Sequence, residues 1–386
     1  MACIPDPPLG LYIHLPWCIR KCPYCDFNSY GITGDARARQ SSFAAYTDAL
    51  LRELQEEAKT AGGRPLISIY LGGGTPSLFP PAEIQRLLRG VKSLLDTAPD
   101  CEVSMEANPG TVTPESLLGY REAGVNRLSL GIQSLDDAFL KRLSRIHSRD
   151  EAFRAIEAAG KIFDNYNLDL MHSLPGQDTA AALSDLAAAL EFHPSHLSWY
   201  QLTPEEDTPF GRNTPELPDE ETTEEICLQG FQLLAEAGYR HYEISAFTRD
   251  RPCIHNRNYW KFGDYLALGA GAHSKITLSG KIIRKSRQPR PGDYIKAVTE
   301  TPGEAIRETR TVAPEDLLFE YLLNRLRLFE DITRQEFEDA TGLSFQDLRE
   351  RLRPFRKEGL ISESENSLAL TSRGALFVNR ILEDFL

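Results

Sequence analysis

Between Leu11 and Thr203, short apolar and β-branched runs alternate with longer stretches in which apolar residues recur at helical spacing. This order builds a parallel sheet covered by helices. The runs Leu11–Leu15, Leu66–Leu71, Glu102–Glu106, Arg127–Ile132, Asn167–Met171 and His196–Leu202 predict strands, and Phe43–Lys59, Pro81–Leu95 and Thr179–Phe192 predict amphipathic helices between them. Six βα-type units result, two short of a closed eightfold barrel, so the expected fold class is α/β with an incomplete (β/α)6 TIM-like barrel. Ligands in such sheets collect at the carboxyl ends of the strands, which directs attention to the residues just after each one.

Beyond this region the Pro- and acid-rich stretch Thr203–Glu225 predicts a long loop, followed by a helix at Glu224–Ala237 and a strand at Tyr242–Phe247. After Thr311 the alternation stops. Helical segments at Glu315–Leu328, Arg334–Thr341 and Phe345–Glu358, a hairpin-like Leu360–Leu370 and a last helix predict a small, mainly helical, winged-helix-like carboxyl-terminal domain. The chain is therefore expected to divide into a barrel core (residues 1–205), a barrel extension (206–307) and that domain (308–386).

Charge narrows the choice of partners. The 386 residues include 56 acidic and 43 basic side chains, a formal net charge of −13, and that field opposes attraction to phosphate backbones. Acidic residues also prevail in 308–386, so the winged-helix pattern predicts packing or docking on a protein rather than DNA binding. No apolar run reaches the roughly 18 residues that span a bilayer, and Met1–Gly10 lacks the basic and apolar segments of a leader, so a cytoplasmic location is expected. Lys281, Arg284, Lys285, Arg287 and Arg290 form a local basic run. It predicts a solvated hairpin, with an anionic partner, the carboxylates of a bound ligand or peripheral membrane contact as alternatives.

Seven cysteines are present, and Cys18, Cys22 and Cys25 form C-x3-C-x2-C directly after the first strand. A short loop of this spacing can wrap three thiolates around one [4Fe–4S] cube and leave its fourth iron open. A structural zinc site normally needs four closed ligands, and Cys3, Cys101, Cys227 and Cys253 are scattered along the chain. Gly72-Gly73-Gly74-Thr75-Pro76 follows the second strand, where bare glycine lets a ligand approach the backbone and its amides. Glu106 ends the third strand as a carboxylate for a ligand hydroxyl or ammonium. Gln133 ends the fourth, Arg145 follows with its fork of donors, and Asp169 lies in the fifth. His255, with Tyr259 and Trp260, combines an imidazole suited to haem iron with aromatic surface. His14, His172 and His273 are further candidates.

The segment Cys18–Cys25, with Tyr24 before the last cysteine, resembles the signature of the radical S-adenosylmethionine (SAM) superfamily. That resemblance implies that the open iron chelates the amino and carboxylate groups of SAM. Position by position, the chain resembles the branch of oxygen-independent coproporphyrinogen III dehydrogenases (HemN type). In that comparison Tyr12, Gly73, Gly74, Thr75, Glu106, Gln133, Arg145 and Asp169, with Thr203 and Ala272, occupy SAM-site positions. The segments Cys25–Ser29, Glu106–Thr111, Leu197–Leu202 and His255-Asn256-Arg257-Asn258-Tyr259-Trp260 are most similar to the haem chaperones of the HemW type. The last of these, H-N-x-x-Y-W, implies haem contact by His255, Tyr259 and Trp260. The dehydrogenases carry a further cysteine where this chain has Phe27, and a longer amino-terminal extension. The resemblance thus implies haem binding and transfer to an acceptor protein, with cluster and SAM as cofactors and no catalytic residue assigned. Coproporphyrinogen III decarboxylation is the alternative.

Overall fold

A computed structural model describes residues 6–385; Cys3 and the first residues of Met1–Gly10 lie outside them. Six parallel strands form where apolar runs predict them: β1 (Leu9–Leu15), β2 (Leu66–Gly73), β3 (Thr97–Ala107), β4 (Arg127–Gln133), β5 (Tyr166–His172) and β6 (His196–Gln201). Their alternating residues divide the work. Leu9, Leu11, Ile13, Ile69, Leu71, Val103, Met105, Leu128, Leu130, Leu168 and Leu197 belong to the large core shared with the helices. Tyr70, Glu106, Ser129, Asp169, Ser198 and Tyr200 turn the other way and line a cavity.

Helix boundaries follow local chemistry. The helix Pro81–Leu94 starts with Pro at its first turn and buries Ile84, Leu87, Leu88 and Val91 along one stripe. Arg149–Ile162 is closed by a capping box in which Ser148 and Glu151 satisfy each other's amides. The first helix begins at Ala36, well before the predicted Phe43, because the Asp35 side chain caps it by accepting from the Ala38 amide.

The sheet is larger than the six units foresee. A seventh parallel strand, β7 (Asp264–Leu268), pairs with β1, and antiparallel strands His273–Leu278, Lys281–Arg287 and Ile306–Thr311 extend that edge. At the opposite edge the predicted strand Tyr242–Phe247 is instead a tight hairpin, Arg240–Glu243 and Ala246–Thr248, of which Ala246–Thr248 pairs with β6. Twelve strands form one open sheet. The helix predicted from Glu224 begins at Glu220, capped by Asp219, and the loop before it holds one helical turn at Pro209–Arg212.

Three of the five cations in the basic run are paired, whereas Lys281 and Arg290 are exposed. Arg284 pairs with Glu320 at 2.6 Å, Lys285 with Glu57 at 3.0 Å, and the buried Arg287 with Glu53 at 2.9 Å. These cations serve as internal cross-links, which withdraws them from an anionic partner or a membrane surface. Towards the carboxyl terminus, helices from Pro314 onward pack with the three-stranded sheet Ile332–Thr333, Ile361–Glu363 and Ser367–Leu370, a winged-helix-like arrangement. Its core also includes Phe262 and Ile282 from the barrel side. Ile306–Thr311, an edge strand of the large sheet, straddles the expected boundary at 308. Among the described residues no helix is long and apolar enough to cross a membrane.

Candidate functional site

A cavity of about 610 Å³ opens at the carboxyl ends of β2 to β6, roofed by the loop that follows β1. Cys18, Cys22 and Cys25 all line it, together with Gly74, Thr75, Glu106, Gln133, Arg145, Asp169 and Thr203. Backbone bonds fix the cysteine loop: Tyr30 N–H donates to the Pro16 carbonyl and Ile32 N–H to the Cys18 carbonyl, each at 2.8 Å. The Asn28 amide ties it to the Ala270 and Pro289 carbonyls at 2.9 Å each.

Two donors aim at the sulfurs, Thr75 Oγ1 at Cys18 Sγ (3.4 Å) and Arg145 Nη1 at Cys22 Sγ (3.6 Å). Such hydrogen bonds stabilise the anionic thiolates that an iron–sulfur cluster needs. The other described cysteines lie on other elements, and Cys253 Sγ is engaged with the Glu102 carboxylate at 3.3 Å. Tetrahedral zinc asks for donors meeting at one point, and among the described residues no three His, Cys, Asp or Glu side chains gather in that way. A cube takes one thiolate per iron, so its ligands need not converge, and the donor set fits it.

The glycines behave differently from the expectation that they bare the backbone to a ligand. Gly73 has φ +117°, and a Cβ there would lie 2.5 Å from the His14 ring. A Cβ on Gly74 would lie 2.7 Å from the Trp17 carbonyl. Their amides are also taken: Gly73 N–H donates to Glu106 Oε2 at 3.1 Å, Gly74 N–H to the Leu15 carbonyl and Thr75 N–H to the Trp17 carbonyl, both at 2.8 Å. The triple glycine seats the cysteine loop on the sheet.

Glu106 accepts from the Tyr70 hydroxyl at 2.8 Å, and burial pushes its carboxyl up to about 7 against the help of its hydrogen bonds. Asp169 accepts from Ser129 Oγ at 2.9 Å and Asn167 Nδ2 at 2.8 Å, and burial raises its pKa as well. Arg145 donates to the Gly131 carbonyl at 2.7 Å and to the Asn108 side chain, while its buried Nε has no partner. Gln133 sits at φ +68°, a strained value for a residue with a side chain, and accepts from the Tyr200 hydroxyl at 3.0 Å. Tyr12, Gly73 and Ala272 stand behind this lining. The Tyr12 hydroxyl bonds His14 Nδ1 at 2.9 Å, and Ala272 is buried.

The H-N-x-x-Y-W segment is a short helix, Ile254–Trp260, packed inside the barrel on Tyr70. It does not present His255, Tyr259 and Trp260 as one exposed group. His255 is 2% exposed; its Nδ1 meets Ser68 Oγ at 3.3 Å. Its ring lies 4.5 Å from Tyr70 and 4.4 Å from Tyr259. Burial, with the Arg127 cation nearby, pushes its pKa down to about 3. Trp260 and Asn256 reach the cavity. Of the other histidines, His14 has both ring nitrogens bonded, to Tyr12 and to the Asn28 carbonyl. His172 bonds Ser173 and packs on Trp199, and His273 lies on the outer strand His273–Leu278. Sequence reasoning missed Tyr70, Ser129, Ser198, Tyr200, Glu243 and Arg327, all on the cavity wall. Period-two alternation puts the first four on one face of their strands, without showing that this face meets a cavity.

The sequence matches the family described as the Radical SAM superfamily over residues 12–186 and the HemN C-terminal domain over 312–377. It is 44% identical to Heme chaperone HemW of Escherichia coli (strain K12), covering 98% of each chain. Identity to Heme chaperone HemW of Haemophilus influenzae is 45% with the same coverage. Radical S-adenosyl methionine domain-containing protein 1, mitochondrial, of Bos taurus is 33% identical, over 97% of this chain and 86% of that one. The solved structure of coproporphyrinogen III oxidase (HemN) from Escherichia coli superposes with a TM-score of 0.83 at 25% identity, over all of this chain and 91% of that one.

Proposed function

Because the chain belongs to the HemW family of haem chaperones within the radical SAM superfamily, we propose that it binds haem and passes it to an acceptor protein, using a [4Fe–4S] cluster and SAM held in the strand-end cavity. The observation that carries this reading is the gathering of three cysteines and a polar ring from five strands on one cavity. Cys18, Cys22 and Cys25 are assigned to the cluster, which supplies an iron able to bind SAM and an electron for it. Gly74, Thr75, Glu106, Gln133, Arg145, Asp169 and Thr203 are assigned to SAM contact, with Tyr12, Gly73 and Ala272 supporting them from behind. Glu106 and Asp169 offer acceptors to hydroxyl or ammonium groups, and Arg145 offers donors to a carboxylate.

His255, Tyr259 and Trp260 are assigned to haem. Imidazole chemistry and the family resemblance support this, and the burial of His255 adds a condition: iron ligation must be coupled to movement of the helix Ile254–Trp260. The division into residues 1–205, 206–307 and 308–386, and a cytoplasmic location, complete the reading.

The fold match to coproporphyrinogen III oxidase favours a second reading, decarboxylation of coproporphyrinogen III. Phe27, 56% exposed on the cavity rim, opposes it, since that position offers no thiol. Anaerobic, cluster-reconstituted protein given haem should develop a Soret band. Given coproporphyrinogen III, SAM and a reductant, it should form no protoporphyrinogen. The reverse pair of results would replace the first reading by the second.

A further inference from the structure

The wall of the cavity formed by the hairpin Arg240–Thr248 and the helix Ile254–Trp260 carries polar groups that the cluster and SAM assignments leave unused. Glu243, Trp260 and Arg327 line it, and Glu243 Oε2, Trp260 Nε1 and Arg327 Nε are buried without a hydrogen-bond partner. Each such atom is costly to leave unless something satisfies it. Three such atoms on residues of one cavity wall mark a place where a small side-chain shift would offer them to an occupant. The guanidinium of Arg327 lies 4.6 Å from the centre of the Trp260 ring, so two donors, Arg327 Nε and Trp260 Nε1, belong to one contacting pair.

Arg327 belongs to the carboxyl-terminal part of the chain, and backbone bonds deliver it to this wall. Ile244 N–H donates to the Arg327 carbonyl at 3.0 Å, Phe329 N–H donates to the Tyr242 carbonyl at 3.1 Å, and Glu243 bridges Leu328 in antiparallel fashion. No carboxylate lies within ion-pair distance of Arg327 among the described residues, whereas its neighbour Arg325 is bound to Glu336 at 2.9 Å. Glu243 is the acid whose charge acts on Arg327; burial pushes its carboxyl up to about 7 against the pull of that cation, so near neutral pH it carries only part of a negative charge.

We propose that Arg327 and the Trp260 indole N–H form an anion subsite that takes a propionate carboxylate of the porphyrin, with the ring edge against Trp260. This rests on the haem-carrying reading above. A cavity of about 610 Å³ suits one drug-sized ligand, so with SAM in place the porphyrin enters by its propionate edge. The full-length, cluster-reconstituted chain is titrated anaerobically with iron protoporphyrin IX and with its dimethyl ester, whose carboxylates are masked. The wild-type chain should bind the diacid at least about tenfold more tightly than the ester. Arg327→Gln should abolish that preference by weakening the diacid alone, Arg327→Lys should keep part of it, and Trp260→Phe should reduce it, all with iron–sulfur absorbance intact. A diacid preference that survives Arg327→Gln, or equal loss of both porphyrins, overturns the subsite. Failure of the wild-type chain to bind either porphyrin overturns the haem-carrying reading along with it.

Discussion

Gly73 and Glu106 share a hydrogen bond yet answer to different forces. At φ +117°, with the His14 ring 2.5 Å from any added Cβ, Gly73→Ala should cost about 1–3 kcal/mol of stability. Urea unfolding reads this directly, and an unchanged midpoint would count against the packing role. Glu106 predicts a pH dependence. Its carboxyl is raised from the ordinary 4.5 to about 7 by burial. In that window the folded state holds a proton that the unfolded chain has released, so its contribution to stability falls as pH rises. A ligand hydroxyl or ammonium favours the ionised form, so SAM affinity should rise from about pH 6 to 8, and Glu106→Gln should flatten that rise in calorimetric titrations. That Cys18, Cys22 and Cys25 would gather on one cavity was legible because their spacing is local. Tyr70 and Tyr200 were not, since an inward tyrosine on a strand reads the same whether it meets a cavity or a core.

At the level of elements, the six barrel strands were legible from their apolar runs, whereas β7 was not. Its five residues sit between Gly263 and Gly269, and their partner, β1, lies at the other end of the barrel sequence. The strand Lys281–Arg287 was visible as a basic run, but its meaning depends on acids from distant helices. Arg287 contacts Glu53 at 2.9 Å and Glu57 at 3.3 Å with its side chain fully buried. Arg287→Ala leaves the buried Glu53 without its cation, while Glu57 keeps Lys285, and should destabilise the protein by about 3–5 kcal/mol. Chemical denaturation measures this, and a loss under about 1 kcal/mol would show that water replaces the cation.

For the whole molecule, the winged-helix-like form of the carboxyl-terminal region was readable from its helix and hairpin order, but its attachment was not. Phe262 and Ile282 share a core with Tyr321, Leu322 and Phe337, and Arg327 completes the cavity wall. The two regions should therefore unfold together. A chain ending at Thr311 should expose that core and aggregate on size-exclusion chromatography. A monodisperse truncated protein with an intact cluster would show instead that the barrel stands alone.

The pairing of Leu9 with Asp264 also sets an order of events during synthesis. One edge of β1 stays bare until β7 has been translated, on the order of tens of seconds at ribosomal rates. An uncovered edge invites pairing with other chains. Asn28, which holds the cysteine loop through the Ala270 and Pro289 carbonyls, waits for the same stretch of polypeptide. The cysteine loop thus gains its anchors only after about three-quarters of the chain has been made, so a cluster held there would be inserted late, after translation has passed the seventh strand.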